Sequence, residues 1–214
     1  MPTAVVAIGG NSLVRPGERG RLEEQRGNLL ATCEGVVAVI AAGYRVIVTH
    51  GNGPQVGEAL LRSELAACQV EPIPLDACVA ETQGSIGYLL QQTLPEALQR
   101  HGLRRPVVTV VTQVLVSQRD PALRNPTKPV GRFYTREEAT RLCATLGWRM
   151  VEDAHRGYRR VVPSPRPKEI IELPAIQAAL VSDALVIACG GGGITRHLRG
   201  ATRPSNAQRT ISRM

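Results

Sequence analysis

Three short aliphatic runs each stop at a glycine-rich turn, and long amphipathic stretches separate them. Few folds accept that pattern. The runs are Ala4–Ile8, before Gly9-Gly10-Asn11; Tyr44–Thr49, before His50-Gly51-Asn52-Gly53-Pro54; and Ala184–Ala188, before Gly190-Gly191-Gly192-Gly193. A fourth run, Val107–Val111, has no glycine after it. The spacing predicts helices over Leu22–Ala42, from Pro54 to about Cys68, over about Asp76–Arg100, and over 174–181. Gly43 reads as the stop of the first helix. Pro54 suits a first turn, and Pro72 and Pro74 end the second helix. Asp76 fits the N-cap of the third, with a kink expected near Gly84 and Gly87. Continuous apolar strands alternating with helices imply an α/β fold with a parallel sheet covered on both faces.

The pattern changes after Val116. Residues 117–134 are polar and rich in turn formers, with Pro121, Pro126, Pro129 and Gly131. A helix over about 135–147 and a hairpin, Arg149–Glu152 with Tyr158–Val162, follow. Pro163, Pro165 and Pro167 close the excursion. Residues 117–167 therefore read as a small subdomain inserted into a single domain spanning 1–194. Residues 195–214 hold five arginines, no acid and no apolar period. They read as a basic, aperiodic, strandless tail, expected to be disordered. The chain has 214 residues, enough for a sizeable core, and only 3% aromatics, so that core must be aliphatic. No apolar run approaches the ~18 residues of a membrane span. Met1–Ile8 has no basic region and meets a glycine turn at once, so no signal peptide is expected.

Net charge is +8, yet the last twenty residues supply +5 of it. The remainder makes no case for a polyanion, and the tail lacks the aromatic interleaving of a nucleic-acid binder, so neither nucleic acid nor membrane is an expected partner. Five scattered cysteines without a C-x-x-C pair argue against zinc and disulfides; they read as buried, inert thiols in a reducing cytoplasm. No cluster of metal ligands is evident.

In open α/β sheets the ligand lies outside the carboxyl ends of the strands. Glycines there let backbone N–H groups approach an anion closely. Three such turns on one edge predict a phosphate-bearing ligand. The turns match neither a Walker A loop nor G-x-G-x-x-G. No acid ends the second strand, and there is no G-x-S-x-G elbow, which disfavours dinucleotide dehydrogenases and α/β-hydrolases. Of 26 basic residues, only Lys128 and Lys168 are lysine. A lysine kept among so many arginines suits a task needing a compact ammonium. Lys128 lies in Asn125-Pro126-Thr127-Lys128-Pro129, where it would neutralise charge on a transferred phosphoryl group. His50 reads as orienting its loop, Asp153 as a turn or ion-pair residue, and Glu23-Glu24 and Glu137-Glu138 as solvated helix faces.

Several segments together resemble the carbamate kinases of the amino-acid kinase superfamily. They are Ala7-Ile8-Gly9-Gly10-Asn11; His50 to Gly57; Pro74-Leu75-Asp76 with Thr82 to Tyr88; Asn125 to Pro129; Val161 to Pro165; and Cys189 to Ile194. The resemblance covers about 1–194. It implies an open αβα sandwich with a protruding subdomain, a homodimer, and the reaction ATP + carbamate ⇌ ADP + carbamoyl phosphate, with Mg²⁺, in arginine catabolism. By the same resemblance Gly9, Gly10 and Asn11 would hold the transferred phosphoryl group. Gly51, Asn52 and Gly53 would line the carbamate and phosphate site. Lys128 would act catalytically from the carbamoyl phosphate side, and Gly190, Gly191, Gly192 and Gly193 would form a turn on the nucleotide side.

In the family the chain continues well past this last turn, into the nucleotide-binding lobe. Here Thr195-Arg196-His197-Leu198-Arg199 replaces the expected continuation, so the sequence reads as truncated, its tail as an out-of-frame product, and its activity as impaired. The alternatives are a non-catalytic anion-binding remnant or partner of a full-length kinase, and a Rossmann-type oxidoreductase using a nucleotide sugar or dinucleotide.

Overall fold

The structure, a computed structural model, describes residues 1–197 except Pro16, Arg19, Ala154 and His155. The strands are β1 Thr3–Ile8, β2 Arg45–His50, β3 Val107–Thr109, β4 Gln113–Val116, β5 Lys128–Tyr134, β6 Met150–Glu152, β7 Tyr158–Val162, β8 Pro167–Ile170, β9 Leu185–Ile187 and β10 Ile194–His197. The helices are α1 Leu22–Ala41, α2 Gly53–Leu65, α3 Leu75–Arg100, α4 Arg136–Leu146 and α5 Leu173–Val181. Three sheets form, in the orders β1-β2-β9-β3, β10-β4-β8 and β5-β7-β6. Two compact units result.

The first unit comprises Met1–Asn52, Val79–Val114 and Ile170–Ile194. Its four-stranded sheet is parallel throughout, with Thr3 opposite Arg45, Val48 opposite Ile187, and Thr109 opposite Ile187. Strand residues alternate between two cores. Val46, Val48, Leu185 and Ile187 pack with Leu29, Val36, Val37 and Ile40 of α1 and Ile86, Leu90, Leu94 and Leu98 of α3. Ile47, Val186 and Val108 point the other way, to Ile176 and Leu180 of α5. Helices on both faces of a parallel sheet make this the expected αβα sandwich, and both cores are aliphatic.

Gly43, at φ +91°, follows α1 as predicted. The expected kink in α3 gives way to one continuous helix, and Gly87 has a different reason. A Cβ there would lie 2.7 Å from the Thr109 hydroxyl, so glycine is what lets the helix approach β3. Asp76 lies inside the first turn rather than at the N-cap, because α3 begins at Leu75. Glu24 and Glu138 are more than solvated faces: each carboxylate accepts from a backbone N–H at its own helix start, Arg21 at 2.9 Å and Thr135 at 2.8 Å, and at α4 the Thr135 hydroxyl accepts from the Glu138 N–H in return, closing a capping box.

The second unit comprises Gly53–Cys78, Leu115–Glu169 and, of the described residues after β9, Thr195–His197. The hairpin β6/β7 is antiparallel as predicted. The turn-rich reading of 117–134 misses β5, which pairs antiparallel with β7 from Lys128 opposite Val162. Pro129 misleads there, because a proline is tolerated on an edge strand and β5 is one. Helix α2 joins this unit by backbone approach: a Cβ on Gly57 would stand 2.9 Å from the Gly131 nitrogen and 3.1 Å from its carbonyl carbon.

Arg160, 5% exposed, lies 4.4 Å over the Trp148 ring and 3.8 Å from a Glu64 oxygen. Burial pushes the Arg160 pKa down and the Glu64 pKa up, with the mutual attraction opposing both. Asp153 pairs with Arg159 at 3.1 Å, as expected.

The strandless reading of the tail fails at its start, since β10 covers Ile194–His197. Ile194 N–H donates to the Thr112 carbonyl at 2.9 Å, and strand pairing of this kind uses backbone groups that no side-chain period reveals. The rest of the expected disordered tail, 198–214, lies outside the described residues.

Candidate functional site

The parallel sheet order places β1, β2 and β9 side by side, so their carboxyl ends share one edge. Gly9 and Gly10, then Gly51 and Asn52, then Gly190 to Gly193 therefore lie at that edge, as the sequence predicts. Asn11 is the middle residue of a one-turn 3-10 helix, Gly10–Ser12. Gly53 opens α2, directly after Asn52 in the chain. Lys128, exposed, is the first residue of β5 in the second unit.

Parts of the second and third turns are packed so tightly that side chains would not fit, whereas Gly9, Gly53 and Gly192 have room around an added Cβ. A Cβ on Gly51 would stand 2.8 Å from the Gly10 nitrogen. One on Gly190 would collide with the His50 ring, and one on Gly191 would stand 2.6 Å from the Asn52 amide carbon. Gly191, Gly192 and Gly193 also have φ of +64°, +90° and +84°, the left-handed region that glycine enters freely. Space and dihedral thus require glycine independently at Gly191.

Buried polar side chains hold the edge. His50, 4% exposed, points Nδ1 at the Gly51 carbonyl at 3.1 Å. A carbonyl only accepts, which assigns the proton to Nδ1. Burial lowers the His50 pKa, so the ring is held neutral, in keeping with a loop-orienting role. Asn52 Nδ2 donates to the Thr82 hydroxyl at 2.9 Å, which donates to the Val79 carbonyl at 2.8 Å. Thr49 Oγ1 donates to the Cys189 carbonyl at 3.1 Å, and Cys189 N–H donates to Thr112 Oγ1 at 2.9 Å. These two bonds hold Cys189 at φ +56°, where a non-glycine residue needs outside support.

Sequence reasoning missed most of this support. Thr82 and Gln83 interrupt the apolar period of α3, and both are almost fully buried. Two adjacent polar residues on a core-facing turn were the available signal. The charge reading also missed a concentration: residues 115–169 hold ten arginines and both lysines against six acids. The cysteine reading needs correcting as well. Cys33 and Cys78 are buried, but Cys68 and Cys143 are exposed, since helix ends and surface faces offer a small residue no cover.

Among the described residues no three His, Cys, Asp or Glu converge as a metal group, and no helix is long and apolar enough to cross a membrane. A surface cleft of about 410 Å³, lined by Pro95, Leu98 and Leu103 to Pro106, lies before the start of β3 and contains none of the candidate residues.

A parallel αβα unit with glycine turns along one carboxyl edge places the chain among the open-sheet α/β proteins, which bind ligands outside the carboxyl ends of their strands. The amino acid kinase family model matches residues 2–206, and the chain belongs to that family. It is 46% identical over 192 residues to the carbamate kinase of Pyrococcus furiosus, covering 89% of this chain and 61% of that protein. It is 48% identical to a carbamate kinase-like protein of Escherichia coli, again covering 89% and 61%. Carbamate kinase from Giardia lamblia bound to citric acid superposes with a TM-score of 0.84 at 44% identity, over 91% of this chain and 63% of that one. The Giardia enzyme bound to AMP-PNP gives 0.79 at 43% identity, over 91% and 62%. The chain thus spans about three fifths of the length of the relatives it matches.

Proposed function

We propose that the glycine edge and Lys128 serve reversible phosphoryl transfer, ATP + carbamate ⇌ ADP + carbamoyl phosphate. One observation carries the reading: glycine turns stand at three adjacent parallel strand ends, and in the second and third of them neighbouring atoms fill the space of a Cβ at Gly51, Gly190 and Gly191, in a member of the amino acid kinase family. The carbamate kinases among its relatives support the choice of substrate.

Phosphoryl transfer asks little covalent chemistry of the protein. Positioning and electrostatic stabilisation do most of the work. In this reading Gly9, Gly10 and Asn11 hold the transferred group, and Gly51, Asn52 and Gly53 hold carbamate and phosphate. Gly190 to Gly193 face the nucleotide. Lys128 supplies the ammonium that offsets charge on the equatorial oxygens. His50 takes no proton; neutral and buried, it keeps the second turn in place. Mg²⁺ belongs to the nucleotide substrate, since Mg²⁺ is commonly held through substrate phosphates rather than by an all-protein cage. The reading also makes the working protein a homodimer of arginine catabolism, and its free thiols fit a cytoplasmic setting.

The test is ATP formation from ADP, MgCl₂ and carbamoyl phosphate, with Lys128→Ala as control. ATP formation that falls about 100-fold or more in the control supports the reading. Phosphate binding without turnover supports the non-catalytic anion-binding alternative. A folded chain that binds neither phosphate nor carbamoyl phosphate overturns both.

A further inference from the structure

Gln83 is 1% exposed and every polar atom of its side chain is engaged. Its Nε2 donates to the Gly190 carbonyl at 2.9 Å and to the Thr112 carbonyl at 3.2 Å. Its Oε1 accepts from the Thr112 N–H at 2.7 Å. Gly190 opens the third glycine turn, and Thr112 is the residue whose hydroxyl receives the Cys189 N–H and whose carbonyl receives the Ile194 N–H. One side chain from α3 therefore anchors both ends of the segment Cys189–Ile194, directly at Gly190 and through Thr112 at either flank.

We propose that Gln83 is a positioning residue for the Gly190–Gly193 turn: its amide fixes the direction of the Gly190 carbonyl, to which the Gly193 N–H bonds, and so the closed conformation in which the turn meets a phosphate-bearing ligand. The proposal rests on the phosphate-holding reading of the glycine edge. Four consecutive glycines have more freedom to lose than any other tetrapeptide, and their order must come from outside the segment. Internally the turn has Gly192 N–H to the Cys189 carbonyl and Gly193 N–H to the Gly190 carbonyl, both 3.1 Å. The second of these uses the carbonyl that Gln83 holds. The position of the side chain is itself constrained, because a Cβ on Gly190 would come within 3.0 Å of Gln83 Cγ. Glycine at position 190 is what admits the clamp.

The experiment uses the full chain with Gln83→Met and Gln83→Glu. Methionine keeps volume and removes all three hydrogen bonds. Glutamate keeps the acceptor for Thr112 N–H but donates to neither carbonyl until it is protonated. Two readouts are taken: amide hydrogen exchange at Thr112 and Gly191–Gly193, and titration with inorganic phosphate. In Gln83→Met, exchange at the glycine amides accelerates and phosphate affinity falls about tenfold, the cost of ordering about one more backbone residue on binding. In Gln83→Glu, affinity relative to wild type recovers as pH falls and the carboxyl gains its proton, an effect that loss of packing does not produce.

A folded Gln83→Met chain with wild-type phosphate affinity overturns the proposal, as does unchanged exchange at Gly191–Gly193. If the methionine variant does not fold, the glutamate variant decides: an affinity ratio independent of pH overturns the proposal. If the wild-type chain binds no phosphate, the reading of the glycine edge fails instead. The clamp then stands or falls on the exchange rates alone.

Discussion

Substituting alanine for glycine inside a helix ordinarily stabilises it by about 1 kcal/mol, because alanine has less backbone freedom to lose. Gly35 of α1 is exposed with nothing within 4 Å of an added Cβ, so Gly35→Ala should follow that rule. Gly57 of α2 should break it. Its Cβ would meet only backbone, the Gly131 nitrogen at 2.9 Å and carbonyl carbon at 3.1 Å. Carbon contacts settle at about 3.5–4.0 Å, so α2 or β5 must move. No rotamer change relieves the clash, and β5 is pinned to β7 at Lys128–Val162, Pro129–Val161 and Val130–Arg160. Overpacking of this kind costs about 1–3 kcal/mol, and a backbone collision belongs near the upper figure. After the propensity gain, Gly57→Ala loses about 2 kcal/mol while Gly35→Ala gains about 1. In a chain of this length the two melting temperatures should differ by about 6–12 °C. Thermal unfolding by circular dichroism measures the gap, and amide exchange along β5 shows whether the loss is local to the second unit. Equal stability of the two variants would mean that the Gly57–Gly131 approach is not a constraint, and the account of how α2 joins its sheet would be wrong.

Other consequences can be measured on the same chain. His50 has its pKa lowered by burial from the ordinary 6.5, so the unfolded chain binds its proton first; stability contributed by the neutral ring is present above pH 6.5 and declines as pH falls below it, by at most about 1.4 kcal/mol per pH unit. Urea unfolding of wild type and His50→Gln between pH 7 and 5 should show the decline flattened in the variant, and parallel curves would refute the assignment. A thiol reagent should label the exposed Cys68 and Cys143 quickly and Cys33 only after denaturation, since burial holds that thiol up to about 12; mass mapping of labelled peptides gives the order. Lys128→Arg keeps the charge but replaces a point ammonium with a wider planar fork, and should lower ATP formation about as far as Lys128→Ala if compactness is what the position requires. Near-wild-type turnover in the arginine variant would show that only charge matters there.

How legible each feature was depended on whether the driving interaction is local. The parallel unit was read almost strand by strand, because the aliphatic runs and glycine stops of its strands are consecutive in sequence. Strands β5 and β10 were not, because edge pairing is a contract between backbone groups far apart in the chain, and Pro129 or Arg196 leaves no apolar trace of it. The candidate site divides the same way. Glycines at strand ends were visible as residues. Their support was not: Gln83 reaches Gly190 across 107 positions, and the polar pair Thr82-Gln83 marks a break in the apolar period without naming the distant backbone it holds. The same limit affected the charge. Counted from the end of the chain, the basic excess seemed to sit in the tail; counted by segment, residues 115–169 of the second unit hold twelve of the 26 basic side chains, Lys128 among them. A composition can be summed from sequence, but the field that acts on an anionic substrate depends on which charges the fold gathers, and that sum needs the topology first.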